Sequence, residues 1–371
     1  MPELQNILEQ YGKQYKEKHD LPIYVKKTLN AIEKCRTAEL GAHEDICDHC
    51  GHKKISYNSC RNRHCPKCQT SAKEKWIYNQ KFDLLNVQYF HVVFTIPASL
   101  NQIVYYNQTK MYNVLFKSVS ETLQELANDK KYLGAQIGFT TILHTWGQNL
   151  KDHPHIHCIV PAGGLDSLGK WKNSKKKFFI PVKVLSKVFR GKFIYYMKQE
   201  KLDFCKEIEE LKINHEFDKF ISSLYAKEWV VYCKPPFKNA NSVIEYLGRY
   251  THRVAISNSR ILNIDNGKVT FKWRDYRDKN KIKTMVLDVD EFIRRFILHI
   301  LPPRFMKIRH FGLLGNRNKT KKLTLCKSLT NTKVLTKENI SPLEILKKVS
   351  GKDFNLCPVC GIGHLIRLSP T

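Results

Sequence analysis

The sequence has no glycine-rich phosphate loop of the Walker type, which argues against an NTP-driven activity. No apolar run is long enough to span a bilayer, and the N-terminal stretch is polar and charged rather than signal-like. A cytoplasmic location is therefore expected, with no membrane partner. No periodic repeat is apparent. Acidic residues are scarce: 34 Asp and Glu stand against 63 Lys and Arg, a formal net charge of +29. Solubility needs far less charge, so this is the balance of a polyanion binder, and nucleic acid is favoured over an anionic membrane. A length of 371 residues with 42% hydrophobic content gives room for two or three domains with a real core. In a cytoplasmic chain the 12 cysteines are read as thiols or metal ligands, not disulfides.

The most informative stretch is Asp152-His-Pro-His-Ile-His-Cys158. On a strand, alternate side chains share a face. His153, His155 and His157 then form a row of imidazoles, while Ile156 and Cys158 turn into the core. Upstream, Ile137, Phe139 and Leu143 occupy odd positions, and a short polar loop from Asn149 to Asp152 joins the two runs as a β-hairpin. Matching the apolar faces sets Ile137, Phe139 and Leu143 with Ile156, Cys158 and Val160. His144, Trp146 and Gln148 then lie on the face of His155 and His157. The expected site is a divalent metal held by His155 and His157, with Gln148 or His144 as third ligand and Gln148 favoured.

Cys47-Asp-His-Cys50-Gly and Cys60-Arg-Asn-Arg-His64-Cys65-Pro-Lys-Cys68 carry two Cys-x-x-Cys knuckles at zinc-site spacing. Each tight turn aims two thiolates at one ion, so Cys47, Cys50, Cys65 and Cys68 are expected to hold a structural Zn²⁺. Cys60, His64, His49 or His52 can replace a ligand or serve a second ion. Arg61, Arg63 and Lys67 surround the knuckles and suit phosphate contacts. A third knuckle, Cys357-Pro-Val-Cys360, is half a zinc site. It needs Cys326, His364 or the N-terminal module to complete it.

Other elements follow from periodicity. Helices are expected over residues 3–39, 100–130, 183–226 and 290–300, and strands over Tyr89–Pro97, Trp229–Cys233 and Ile256–Val289, the last with a turn at Asp265-Asn266-Gly267. Arg304–Arg309 with His310-Phe311-Gly312 reads as a basic turn, and residues 316–345 as polar and partly flexible. From Asn241 a helix is expected to carry Tyr246 and Tyr250 on one face, with Arg249 and Arg253 beside them. Two half-buried anchoring tyrosines would give the same pattern. A His-held metal, a tyrosine pair and a basic surface nonetheless suggest one chemistry. Tyrosine attacks a DNA phosphodiester as covalent nucleophile, and Mg²⁺ or Mn²⁺ polarises the phosphate. The phosphotyrosine link conserves the bond energy, which fits the missing phosphate loop.

Tyr57-Asn-Ser-Cys-Arg-Asn-Arg-His-Cys-Pro-Lys-Cys-Gln69 after Cys47-Asp-His-Cys50, then Val93-Phe-Thr-Ile-Pro97, His144-Thr-Trp-Gly-Gln-Asn-Leu150, His153-Pro-His-Ile-His157, Tyr246-Leu-Gly-Arg-Tyr250-Thr-His-Arg253 and Arg309-His-Phe-Gly-Leu-Leu314 appear in order. Together they resemble the two-tyrosine HUH transposases of rolling-circle insertion sequences, the IS-ninety-one type. The resemblance implies an α+β fold: a Rep-like HUH endonuclease domain, an antiparallel sheet flanked by helices, preceded by a small helical and zinc-knuckle domain. The expected division is 1–88 for the helical and zinc-binding DNA-binding domain, 89–315 for the catalytic domain and 316–371 for a basic tail with the last knuckle. His155 and His157 match the HUH ligands, and Tyr246 and Tyr250 the paired nucleophiles. One tyrosine would nick, leaving a 5′-phosphotyrosine and a free 3′-OH, and the second would allow another transfer. The implied partners are single-stranded or hairpin element ends and target DNA. A Rep-type initiator or relaxase shares this chemistry. A non-catalytic zinc-finger protein would explain the charge and knuckles but leave the histidines and tyrosines idle.

Overall fold

The computed structural model describes residues 2–174, 180–237, 242, 243, 246, 248, 254–276, 278–338 and 340–368. Tyr250, Arg249 and Arg253 lie outside the described residues. Among those described, no helix is long and apolar enough to cross a membrane.

A five-stranded antiparallel sheet forms the centre. Its members are β3 (Tyr89–Thr95), β4 (Gly138–Trp146), β5 (Asp152–Pro161), β8 (Val231–Phe237) and β12 (Ile308–Gly312), in the spatial order β12-β4-β5-β3-β8. Alternation in β3, β4 and β5 sorts the side chains. Phe90, Val92, Phe94, Phe139, Leu143, Ile156, Cys158 and Val160 enter one large core. The helices α5 (Gln108–Asn128) and α6 (Val182–Gln199) close that core with Met111, Leu115 and Val119, and with Phe189 and Phe193. In α5 the apolar side chains recur every three or four residues, and its buried Ser118 and Thr122 hydroxyls donate back to Val114 O and Ser118 O at 2.7 Å each. The opposite sheet face carries Tyr89, Ile142 and Ile159, covered by Val243 and, at their edge, Tyr246 and Trp76. The histidines lie on the remainder of that face, where they line a cleft.

The expected hairpin is present. Leu143 pairs with Ile156 and His144 with His155, with an irregularity between His144 and Trp146. The expected basic turn near residue 309 is instead the edge strand β12, whose Ile308 to Gly312 pair with Ile142 to Gly138. Main-chain pairing, invisible to a charge count, decides it. Gly312 (φ +61°) ends the strand, and a Cβ there would stand 1.9 Å from Ile137 O, so only glycine fits.

The helix expected over residues 3–39 is two, α1 (Leu4–Lys18) and α2 (Ile23–Glu33), broken at Leu21-Pro22. Their buried Leu4, Ile7, Leu29 and Ile32 share a core with Phe271, Phe292 and Phe296. The latter belong to the meander β9 (Ile261–Asp265), β10 (Lys268–Asp275), β11 (Lys281–Asp288) and the helix α8 (Val289–Ile297). Residues on both sides of the boundary expected at residue 88 thus share one core. Shorter helices α3 (Gln69–Lys81), α4 (Asn101–Tyr106) and α7 (Asn214–Ala226) complete the layers. The last 56 residues, expected to be partly flexible at first, contain α9 (Lys319–Leu329) and α10 (Pro342–Ser350), which a Ser341/Glu344 capping box starts. Finally β13 (Leu365–Arg367) returns to pair with β1 (Ala42–Cys47), which also pairs with β2 (Lys53–Tyr57).

Candidate metal centre and tyrosine site

β5 is the middle strand, so His155 and His157 are set between β4 and β3. His144 stands directly across from His155, and Val93 across from His157. One ring nitrogen from each of His144, His155 and His157 lies within 4.8 Å of the others. Three imidazoles so placed suit a borderline divalent ion with positions left open for substrate. The His155 Nδ1–H donates to the His153 carbonyl at 2.6 Å, since a carbonyl can only accept. Gln148, favoured from the sequence as third ligand, lines the same cleft as the three histidines. The register shifts after His144 and resumes with Trp146 opposite Asp152, and the Gln148 amide donates to the Tyr276 hydroxyl at 3.0 Å. His144 is the residue grouped with His155 and His157.

A fourth histidine was not singled out from the sequence. His91 on β3 is buried; its Nε2 is 2.9 Å from His157 Nδ1 and its Nδ1 is 2.9 Å from the Tyr246 hydroxyl. Burial, then Lys234 and His155, push its pKa down to about 3, so the ring is neutral. Lys234 on β8 also lies 5.5 Å from the Tyr246 ring centroid, a cation–π contact. It supplies positive charge near the tyrosine that the sequence reading sought from Arg249 and Arg253. The only advance signal for His91 was its parity on β3, the same face as Tyr89 and Val93. These groups line a cleft of about 960 Å³, which Trp146, Trp273, Tyr232, Lys151 and Arg274 also flank.

The cysteines group differently from the single set expected. Cys35, Cys60, Cys65 and Cys68 form one cluster; Cys47 and Cys50 join Cys357 and Cys360 in another. In the first, Sγ–Sγ distances are 3.5 Å for Cys35–Cys68 and 3.6 Å for both Cys60–Cys68 and Cys35–Cys65. Zn–S bonds of ~2.3 Å in a tetrahedron place sulfurs about 3.8 Å apart, so a four-thiolate zinc fits with slight expansion. Cys35, at the end of α2, was missed because it belongs to no knuckle. The pair at Cys47 is carried off by the β1–β2 hairpin. Backbone amides of Cys60 and Asn62 point at Cys35 Sγ and Cys60 Sγ at 3.5 Å, which favours thiolate charge.

His64, an alternative zinc ligand, accepts the Leu301 amide at Nε2, 3.3 Å away, and burial drives its pKa well below the ordinary imidazole value. Arg63, expected at a phosphate, is turned inward: its guanidinium donates to Leu301 O at 3.3 Å, Pro302 O at 2.6 Å and Phe305 O. Lys67 pairs with Glu3 at 2.6 Å and Gln5 at 2.5 Å on α1. Arg61 is exposed.

An antiparallel sheet flanked by helices, carrying three clustered histidines beside a tyrosine and preceded by a cysteine-clustered N-terminal region, defines an α+β chain with a candidate metal and tyrosine site. Residues 138–322 match the family model described as "Putative transposase" and residues 7–96 the one described as "Transposase zinc-binding domain". "Putative transposase y4qJ" of Sinorhizobium fredii (strain NBRC 101917 / NGR234) is 44% identical over 377 residues, covering 99% of this chain and 95% of the relative. "Transposase for insertion sequence element IS801" of Pseudomonas savastanoi pv. phaseolicola is 29% identical over 301 residues, 78% of this chain and 70% of the relative. The chain belongs to the IS-ninety-one-like transposases that carry an N-terminal zinc-binding domain. Among solved structures, a metal-bound conjugative relaxase TrwC in complex with oriT DNA aligns at 13% identity and a TM-score of 0.26, over 33% of this chain and 47% of that one.

Proposed function

We propose that this transposase nicks and joins single-stranded DNA at the ends of its mobile element through 5′-phosphotyrosine intermediates, as in rolling-circle transposition. The observation that carries the reading is the 2.9 Å contact of the Tyr246 hydroxyl with His91, itself 2.9 Å from His157 of the three-histidine group. Tyr246 is the first nucleophile, and Tyr250 is assigned the second transfer. His144, His155 and His157 would hold Mg²⁺ or Mn²⁺, and Cys35, Cys60, Cys65 and Cys68 a structural Zn²⁺. The bound divalent ion supplies Lewis-acid stabilisation of charge on the scissile phosphate.

The chain's own residues prepare the tyrosine. With His157 among the residues that would hold the metal, its Nδ1 would carry the proton and donate to His91 Nε2, 2.9 Å away. A neutral His91 has one proton left to place, on Nδ1, and donates it to the Tyr246 oxygen. That donation stabilises the developing phenolate, as does the Lys234 charge, against an ordinary phenol pKa of ~10. The tyrosine oxygen bonds to phosphorus as the P–O3′ bond breaks. The phenol proton leaves to solvent, and the released 3′ oxygen takes one up. Trp146, Trp273 and Tyr276 at the cleft suit stacking of unpaired bases, and Lys151 and Arg274 suit the backbone.

The test is a denaturing gel of labelled single-stranded element ends with Mg²⁺, wild type beside a Tyr246→Phe/Tyr250→Phe double variant. A covalent band in the wild type alone is expected. A band in the double variant would overturn the nucleophile assignment.

A further inference from the structure

The third knuckle, Cys357 to Cys360, lies outside both matched family segments, residues 7–96 and 138–322, and no step above uses it. Pairing of β13 with β1 sets Leu365 opposite Cys47 and lays this knuckle on the one at Cys47–Cys50. The two turns are built alike. In each, the glycine after the second cysteine has positive φ, +69° at Gly51 and +64° at Gly361. The same glycines donate their N–H to the first cysteine's carbonyl, at 3.1 Å and 3.0 Å. Amides of Cys50 and Gly363 point at Cys47 Sγ and Cys360 Sγ, at 3.5 Å and 3.4 Å.

Across the junction Cys47 Sγ is 3.7 Å from Cys360 Sγ, and Cys50 Sγ is 3.8 Å from Cys357 Sγ. A zinc tetrahedron with Zn–S bonds of ~2.3 Å has sulfur–sulfur edges of about 3.8 Å, so the thiols stand where that ion needs them. The backbones are in contact: a Cβ on Gly363 would lie 2.6 Å from Cys47 Sγ and 2.5 Å from His49 Cβ. Two further hydrogen bonds lock the turns, Asp48 N–H to His364 O at 3.1 Å and His364 N–H to Asp48 Oδ1 at 2.7 Å.

We propose that Cys47, Cys50, Cys357 and Cys360 bind a second Zn²⁺, a clasp that fastens the C-terminal segment to the zinc-binding N-terminal region. Four thiolates leave no open position, so the ion is structural. The clasp bears on the tyrosine. It anchors the segment that contains α10, and α10 packs on α3. Ile77 and Lys73 of α3 stand 2.5 Å and 3.2 Å from where a Cβ on Gly248 would be, so the tyrosine segment rests on that helix without a spare methyl.

Zinc per chain, measured on full-length protein by mass spectrometry, tests this without any nicking assay. Failure of the tyrosine chemistry would leave the zinc count unchanged. Wild type is expected to hold two ions and a Cys357→Ser/Cys360→Ser variant one. One ion in wild type, or two in the variant, would overturn the proposal. If the double variant does not fold, cobalt-loaded wild type decides: thiolate charge-transfer absorption corresponding to eight sulfurs supports the clasp, and four refutes it.

Discussion

His91 Nδ1 and the Tyr246 hydroxyl stand 2.9 Å apart, joining β3 of the sheet to the tyrosine segment that covers it. Because His91 also meets His157 at 2.9 Å, a metal held by His157 would dictate which way protons point along the whole row. His91→Phe keeps the volume but removes both bonds. It is expected to slow covalent adduct formation by about 10²-fold, the usual scale for a lost proton-handling group, with binding of single-stranded DNA little changed. Single-turnover rates beside a binding isotherm check this. An unchanged adduct rate would reduce His91 to packing.

The third-ligand question separates His144 from Gln148. Loss of an outer-shell partner costs metal affinity by roughly 10–100-fold, and loss of a direct ligand costs more. His144→Ala is therefore expected to weaken Mn²⁺ binding by at least about 10²-fold. Gln148→Ala loses only its bond to Tyr276 and should bind Mn²⁺ nearly as wild type does. Calorimetric titration of both variants distinguishes them, and the reverse ranking would restore Gln148 to the site.

Cys35 shares its cluster with Cys60, Cys65 and Cys68 and packs in the core that α1 and α2 form with Phe271 and Phe292. Zinc there supplies folding energy to that core. Cys35→Ser is expected to lose one zinc per chain and lower the melting midpoint by about 5 °C or more. Cys65→Ser should match it. Full zinc content in either variant would remove that cysteine from the site.

Acid should weaken the fold through His299. Its Nε2–H donates to Leu150 O at 3.0 Å, and Nδ1 accepts from Thr145 at 3.2 Å, so the ring is held neutral; burial pushes its pKa down to about 4. The unfolded chain therefore binds the extra proton first. Stability from this group is present above ~6.5 and is lost as pH falls toward 4, by about 3 kcal/mol in all. Asp152, 3.9 Å away, titrates in the same window with opposite sign, because burial raises it to about 7. Comparing urea unfolding of wild type and His299→Gln at pH 7 and pH 4.5 isolates the histidine. A variant as acid-sensitive as wild type would refute the assignment.

The His hairpin is legible in the sequence because both strands alternate, and parity alone puts Leu143 on the face of Ile156 and His144 on the face of His155; the pairing itself adds which residue stands opposite which. The zinc region is legible as a set of knuckles, but their grouping is not. Pairing of β1 with β13 takes Cys47 and Cys50 toward residues more than 300 positions away, while Cys35, in no knuckle, and Cys60 fill the two vacated places. His91 is equally hidden: its partners are 66 and 155 residues distant, and a lone histidine on an apolar strand has no local pattern. The charge count fails in the same way at Arg63 and Lys67, whose partners are carbonyls and carboxylates of the protein itself.

That failure yields a test of the DNA contacts. Arg63 ties the N-terminal cysteine region to the turn at Leu301–Phe305 through three carbonyls, and its charge is half withdrawn from water. Removing it takes the guanidinium from all three, with Pro302 O keeping only the Phe305 amide at 3.2 Å. Arg63→Ala is expected to cost about 2 kcal/mol of stability while leaving the salt dependence of DNA binding unchanged. Arg61, exposed on the same loop, makes the opposite prediction. Arg61→Ala should leave stability within about 0.5 kcal/mol of wild type and lower the slope of log affinity against log salt by about 1, one phosphate contact. Fluorescence anisotropy with single-stranded DNA across a salt series, beside urea unfolding of both variants, compares them directly. If Arg63→Ala flattened the salt slope and Arg61→Ala did not, the guanidinium at Arg63 would have to leave its carbonyls for DNA, and the inward geometry would describe only the unbound protein.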